Sequence, residues 1–223
     1  MPRQARVAVG NTVYHVINRA NARQTIFHND TDYRHFESLL LETKELIDMR
    51  ILGYCIMPNH WHLILYPKKD ADLSECMRLL TTTHARQYRT RTESIGYGHL
   101  YQGRYKSFPV ASDRYLLTLI RYVEQNPLRA RLVKKAQDWQ WGSLWRREKG
   151  SAQQKKLLAS LPTVLPKDYL DSVNTIFSDD DLEKMRYSVN RGAPYGPDAW
   201  VASMVDTFKL GHTLRGSGRP KKR

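Results

Sequence analysis

Two short spacings in this chain could carry chemistry: His60-Trp61-His62, and Tyr122 followed four residues later by Asn126. On a strand, alternate side chains share a face, so the two imidazoles point together while Trp61 points the other way, into a core. Two neutral imidazoles on one face make half of a divalent-metal site and need a third ligand. Two partly exposed histidines at a strand start would look the same. On a helix, positions i and i+4 lie on one face. Asn126 could then offer an amide oxygen, a hard ligand suited to Mg2+ or Mn2+. Tyr122, one turn away, could attack a phosphorus atom polarised by that metal, giving a covalent phosphotyrosine that conserves the bond energy for rejoining. A core tyrosine with an asparagine capping the helix end would produce the same spacing.

The elements that must position these residues are legible from periodicity. Residues 12–18, TVYHVIN, alternate and are rich in β-formers, and read as a strand. Asn29 or Asp30 caps a helix that starts near Asp32 and carries Phe36, Leu39, Leu40 and Leu46/Ile47 to about Met49. The runs 51–57 and 62–67 read as a hairpin of buried central strands about the turn pair Pro58-Asn59. Asp72 or Ser74 opens a second helix bearing Leu73, Met77, Leu80, His84 and Tyr88, with a basic outer surface. The loop IGYGHLYQG leads to a fourth strand in RYKSFPV. Asp113 caps a third helix, which ends near Asn126 because the residue before Pro127 disfavours the helical conformation. The order of the first six elements is that of a split βαβ, ferredoxin-like α+β fold with an antiparallel sheet. Residues 1–149 form this domain. Residues 150–214 form a small helical extension punctuated by Pro162, Pro166, Pro194 and Pro197, with GSAQQKK as a polar linker. Residues 215–223 form a basic, disordered tail.

Composition narrows the function. The 223 residues include 36 Lys+Arg against 22 Asp+Glu, a formal net charge of +14. Such a balance favours a polyanionic partner, held by counterion release, and nucleic acid fits better than a membrane surface because no long basic amphipathic helix is visible. Cys55 and Cys76 make no CxxC pair, so neither a zinc knuckle nor a disulfide framework is expected, and Cys55 reads as a small core residue. No signal peptide, membrane span or P-loop is apparent, and the protein is expected in the cytoplasm, at the nucleoid.

The two motifs together resemble a known family. MPNHWHLIL resembles the HUH motif in its strand context, and RYVEQNPLRARLV resembles the tyrosine helix of the REP-associated tyrosine transposases, where REP denotes a repetitive extragenic palindrome. YHVINRANARQTIF, GRYKSFPV and the stretch from NRGAPYGPDAW to GRPKK are similar as well, so the resemblance spans nearly the whole chain. It implies a ferredoxin-like palm and a metal-dependent, ATP-independent single-stranded DNA endonuclease and strand transferase acting on REP hairpins. A 5′-phosphotyrosine and a free 3′-hydroxyl are the implied products. His60, His62 and Asn126 would be the metal ligands and Tyr122 the nucleophile. Gln125 lies roughly 100° round the helix from Asn126, which favours Asn126. Tyr115, seven residues before Tyr122, is the rival nucleophile.

Arg19, Arg23, Arg104, Lys106, Arg114, Arg121 and Arg129 flank the strand ends and the tyrosine helix, and are candidates to hold phosphates. Tyr105 and Trp61 are candidates to stack on unpaired bases. Gly218-Arg219-Pro220 resembles a minor-groove hook, with Arg219 at its centre; a solubilising tail is the alternative. Three rival functions remain at this level: a replication or conjugation nickase using the same chemistry, a hairpin-binding protein that no longer cuts, and a small-molecule metal hydrolase. The last leaves the charge unexplained. Monomer and homodimer are both compatible with the sequence.

Overall fold

The computed structural model describes residues 7–112 and 114–215. The expected cap Asp113, most of the basic tail and the hook residue Arg219 lie outside them. Four strands, β1 (Val13–Arg19), β2 (Arg50–Met57), β3 (His60–Tyr66) and β4 (Lys106–Val110), form one antiparallel sheet in the order β2-β3-β1-β4. With α1 (Asp30–Ile47) between β1 and β2, and α2 (Asp72–Arg91) between β3 and β4, this is the expected ferredoxin-like α+β topology.

Strand alternation divides the sheet into two faces. Tyr14, Val16, Trp61, Leu63 and Leu65 join Phe36, Leu39 and Leu40 of α1 and Leu73, Met77 and Leu80 of α2 in one core. Asn29 begins α1 by accepting the backbone N–H groups of Thr31 and Asp32, satisfying donors that a bare helix start leaves open. Leu46, expected on the buried face, is exposed, and Ile47 packs against the core in its place. On the other face, Val13, Leu52, Cys55, Met57, Ile64, Phe108 and Val110 meet Leu116, Leu119, Ile120 and Val123 of α3 (Arg114–Glu124). The period of two therefore sends Trp61 to the first face and both His60 and His62 to the second, beneath the helix that bears Tyr122.

β3 is central, as expected, but β2 is an edge strand. Its fully buried side chains reflect a cover rather than a neighbouring strand. The Ile56 N–H donates to Trp141 O (2.9 Å), the Tyr54 N–H to Ser143 Oγ (3.0 Å), and the Ala159 N–H to Ile51 O (2.8 Å). Such covering removes an open edge that could template intermolecular pairing. The β4 edge is closed likewise, where Ala111 N–H donates to Tyr195 O and Tyr195 N–H donates to Pro109 O.

The remaining helices are α4 (Asn126–Arg129), α5 (Ser143–Lys149), α6 (Ala152–Lys155), α7 (Tyr169–Asn174), α8 (Asp179–Arg191) and α9 (Asp198–Thr207). The stretch read as a polar linker contains α6, nucleated by a capping box in which Ser151 and Gln154 satisfy each other's backbone N–H. Tyr169, Val173, Phe177, Leu182 and Met185 enter the same core as α3, so chain beyond residue 150 packs directly on the tyrosine helix. No helix among the described residues is long and apolar enough to cross a membrane.

Candidate active site

Alternate positions of the same orientation on β3 create the histidine pair. The His60 and His62 rings lie 5.1 Å apart, centroid to centroid, with His60 half-buried and His62 buried. Burial pushes His60 down to about 4, with the Arg19 charge adding to it, because Arg19 is the cross-strand partner of His60. Burial also holds His62 well below the ordinary imidazole range, helped by His15, His60, Arg129 and Arg19. Both rings are therefore neutral at pH 7 and keep a lone pair for a metal. Trp61, on the opposite face, is fully buried and donates its indole N–H to Tyr101 Oη at 3.0 Å. The expectation that Trp61 stacks on bases is corrected: the alternation that aligns the histidines encloses the tryptophan.

α3 lays Tyr122 against this pair. Its ring centroid is 6.2 Å from that of His62 and 6.4 Å from that of His15, edge-on to both. Tyr122 is 6% exposed, with Phe177 at 6.5 Å and the Arg129 guanidinium 4.2 Å above its ring. Tyr115 is turned elsewhere. Its ring packs on Tyr195 at 5.2 Å, and its hydroxyl accepts from Arg114 at 3.1 Å.

Regular helix ends at Glu124, close to where the proline predicts, but the chain does not leave the helical path there. A new turn starts at Asn126 and runs through Pro127, whose missing N–H costs nothing in a first turn. Asn126 Nδ2 donates to the carbonyls of Tyr122 (3.0 Å) and Val123 (3.2 Å), and its Oδ1 accepts from Arg129 Nη2 at 2.8 Å. The amide is thus oriented with its oxygen toward Arg129, and an sp2 oxygen has a second lone pair to offer. Gln125 is spent differently. It is fully buried, and its Nε2 donates to Val173 O (2.7 Å) and Thr175 O (2.6 Å).

The basic residues divide into two groups. Arg19 ends β1 opposite His60, and Lys106 opens β4 opposite Ile17, which is itself opposite His62. A cleft of about 260 Å³ is lined by Arg19, Arg104 and Lys106 beside this corner. Arg104 and the buried Tyr105 also line a cavity of about 760 Å³ on the far side of the 102–104 loop. Arg23 is exposed near the β2–β3 turn, where its carbonyl accepts from Asn59 Nδ2 at 3.0 Å. Arg129 stands over Tyr122. By contrast, Arg121 donates to Thr175 O at 2.7 Å and stacks on Phe177, and Arg114 lies on Tyr115. Those two guanidiniums serve contacts within the chain.

Neutral imidazoles and an amide oxygen are donor types that a divalent cation accepts. Among the described residues no group of three or more His, Cys, Asp or Glu side chains is placed to hold a metal, so a site built on His60 and His62 would need a donor of another kind, and Asn126, one turn from Tyr122, carries one. Two imidazoles and an amide leave a dication's charge uncancelled, a state suited to an anionic phosphate.

Sequence reasoning passed over His15 and Arg129's tie to Asn126. His15 carries a signal only in hindsight, since alternation along β1 places it on the His60 face; Arg129 required the turn beyond Pro127.

Residues 8–126 match the family described as "Transposase IS200 like". A protein of Haemophilus influenzae described as a REP-associated tyrosine transposase is 25% identical over 125 residues, covering 52% of this chain and 71% of the relative. The solved structure of a REP-associated tyrosine transposase bound to a REP hairpin is similar with a TM-score of 0.56 at 19% identity, over 80% of this chain and 96% of that one. At that identity the likeness bears on the fold.

Proposed function

The chain belongs to the IS200-like transposase family, and on that premise we propose that it cleaves and rejoins single-stranded DNA at REP hairpins with Tyr122 as nucleophile. The observation that carries this is the packing of Tyr122, on α3, edge-on to His62 with 6.2 Å between ring centroids. His60 and His62, with Asn126, would hold Mg2+ or Mn2+. When bound, the cation supplies positive charge that polarises the scissile phosphate and offsets charge on the leaving oxygen.

The chain's own groups do the rest. Tyr122 Oη attacks phosphorus; the bond from phosphorus to the 3′ oxygen breaks, and the proton lost by the phenol balances the one gained by that oxygen. The products are a 5′-phosphotyrosine and a 3′-hydroxyl, and the reverse attack by another 3′-hydroxyl rejoins the strand. Arg129, which covers the Tyr122 ring and donates Nη2 to Asn126 Oδ1, would keep positive charge beside the scissile phosphate. Arg19, Arg104 and Lys106 line the approach for the backbone, and the Arg219 hook would grip flanking duplex.

The hairpin substrate is supported by the relatives' own descriptions, which name REP-associated transposases and, in one, a bound REP hairpin. Labelled REP hairpin oligonucleotides incubated with Mn2+ should yield a covalent protein–DNA adduct on denaturing gels with wild type and none with Tyr122→Phe. An adduct that survives the substitution moves the nucleophile elsewhere. Tight binding without any adduct would instead indicate a hairpin-binding protein that no longer cuts.

A further inference from the structure

Each metal-binding imidazole needs its proton on the nitrogen that faces away from the metal. For His60 the source of that order is plain. Its Nδ1 lies 2.7 Å from Asn59 Oδ1, and Asn59 is itself oriented by donating Nδ2 to Arg23 O at 3.0 Å. An amide oxygen only accepts, so His60 carries its proton on Nδ1 and leaves Nε2 bare.

His62 has no amide beside it. Its Nδ1 faces His15 Nε2 at 2.9 Å. The two rings are nearly coplanar, 19° apart, and their centroids are separated by 5.1 Å, longer than the nitrogen–nitrogen distance by roughly two ring radii. This is an in-plane hydrogen bond, edge to edge, between two buried neutral rings. His15 and His62 reach each other as diagonal neighbours on β1 and β3, since Ile17 is the direct partner of His62. Phe108, 5.0 Å from the His15 ring, and Tyr122 hold His15 in place.

Either ring could donate in this bond. We propose that His15 is a positioning residue that accepts the Nδ1 proton of His62 and so keeps His62 Nε2 free for the metal; the proposal rests on His60 and His62 being the ligands. The geometry sets that direction. His62 Nδ1 is taken up by His15, so only Nε2 is left to face a cation, and a neutral ring with a bare Nε2 carries its proton on Nδ1. His15 Nδ1, which must then carry the second proton, is fully buried and has no partner among the described residues. That buried N–H without a partner is a cost of the arrangement, offset by the orientation it gives His62.

The test uses the full chain with 15N-labelled histidine. In the metal-free wild type, the nitrogen shifts of His62, assigned with His62→Gln, should report a proton on Nδ1. In His15→Phe, which fills the slot beside Phe108 without an acceptor, the proton should move to Nε2. Mn2+ affinity, read from the free-ion EPR signal, should drop about 10–100-fold in His15→Phe. His15→Gln, whose amide oxygen can accept, should restore it to within a few-fold. Thermal melting of each variant separates folding from metal binding. A proton on His62 Nε2 in the wild type, or a folded His15→Phe with unchanged tautomer and affinity, would overturn the proposal. Wild type that binds no Mn2+ while its His62 keeps the Nδ1 proton would sink the metal reading of the site and leave the role of His15 in orienting His62 standing.

Discussion

Glu124→Ala should loosen the anchoring of the tyrosine helix to the rest of the fold. Glu124 lies two residues beyond Tyr122, and its side chain is fully enclosed. Oε1 accepts from Ser143 Oγ at 2.5 Å and pairs with Arg147, while Oε2 accepts from the Tyr169 hydroxyl at 2.6 Å. Arg147 also donates to Leu52 O at 2.6 Å, so one carboxylate ties α3 to β2, α5 and α7. Removing one partner of a buried ion pair costs about 3–5 kcal/mol, because the other charge is left uncompensated. The Arg147 side chain is 17% exposed and keeps the Leu52 carbonyl, which places the loss toward the lower figure. For a chain of this size that corresponds to a fall in Tm of about 6–12 °C. Tyr169→Phe alone removes a hydrogen bond to a charged acceptor and should cost about 1.5–3 kcal/mol. In the Glu124→Ala background the acceptor is already gone, so the same change should cost almost nothing. Urea denaturation of the four proteins closes the cycle and should give a coupling of about 1.5–3 kcal/mol. A Glu124→Ala cost below about 1 kcal/mol, or two costs that simply add, would refute the assignment of this cluster as the anchor of α3.

Further outcomes follow from the same geometry. Arg19→Gln and Arg104→Gln should each reduce the slope of log affinity against log salt for single-stranded DNA by about 0.7, one phosphate contact apiece. Arg121→Gln should leave that slope unchanged while lowering the urea midpoint, because its guanidinium already holds Thr175 O and Phe177; the opposite pattern would put Arg121 on DNA. His84 is pushed down to about 3 by burial, with His35 and Arg91 adding to it, against 6.5 for a free imidazole. Below about pH 6.5 the unfolded chain takes up a proton there that the folded chain does not, so stability falls with pH from 6.5 toward 3 by up to about 1.4 kcal/mol per unit. His84→Gln should make the decline of the urea midpoint between pH 7 and 5 shallower by that one proton, and an unchanged decline would show that His84 is not part of it.

Much of the fold was legible because it is written in local periodicity. Alternation along residues 60–66 sets two histidines on one face and Trp61 on the other wherever the strand lies, and a spacing of four sets Tyr122 and Asn126 one turn apart on any helix. The βαββαβ order needed nothing beyond neighbouring residues either, and they narrow the cap of α1 to Asn29 or Asp30, of which the structure uses Asn29. Tertiary structure decided everything that depends on what docks where. Burial of Leu116, Leu119 and Ile120 against Leu52, Cys55 and Ile64 lays α3 across the histidine face and selects Tyr122 over Tyr115 as the ring beside His62. Cross-strand register, set between residues 47 positions apart, makes His15 the partner of His62. The 169–177 segment takes Arg121 and Gln125 for itself, and covering by residues 139–143 turns an edge strand into a buried one. These are contacts between segments distant in the chain, chosen by which apolar surfaces close on each other, and no spacing within a single segment records them.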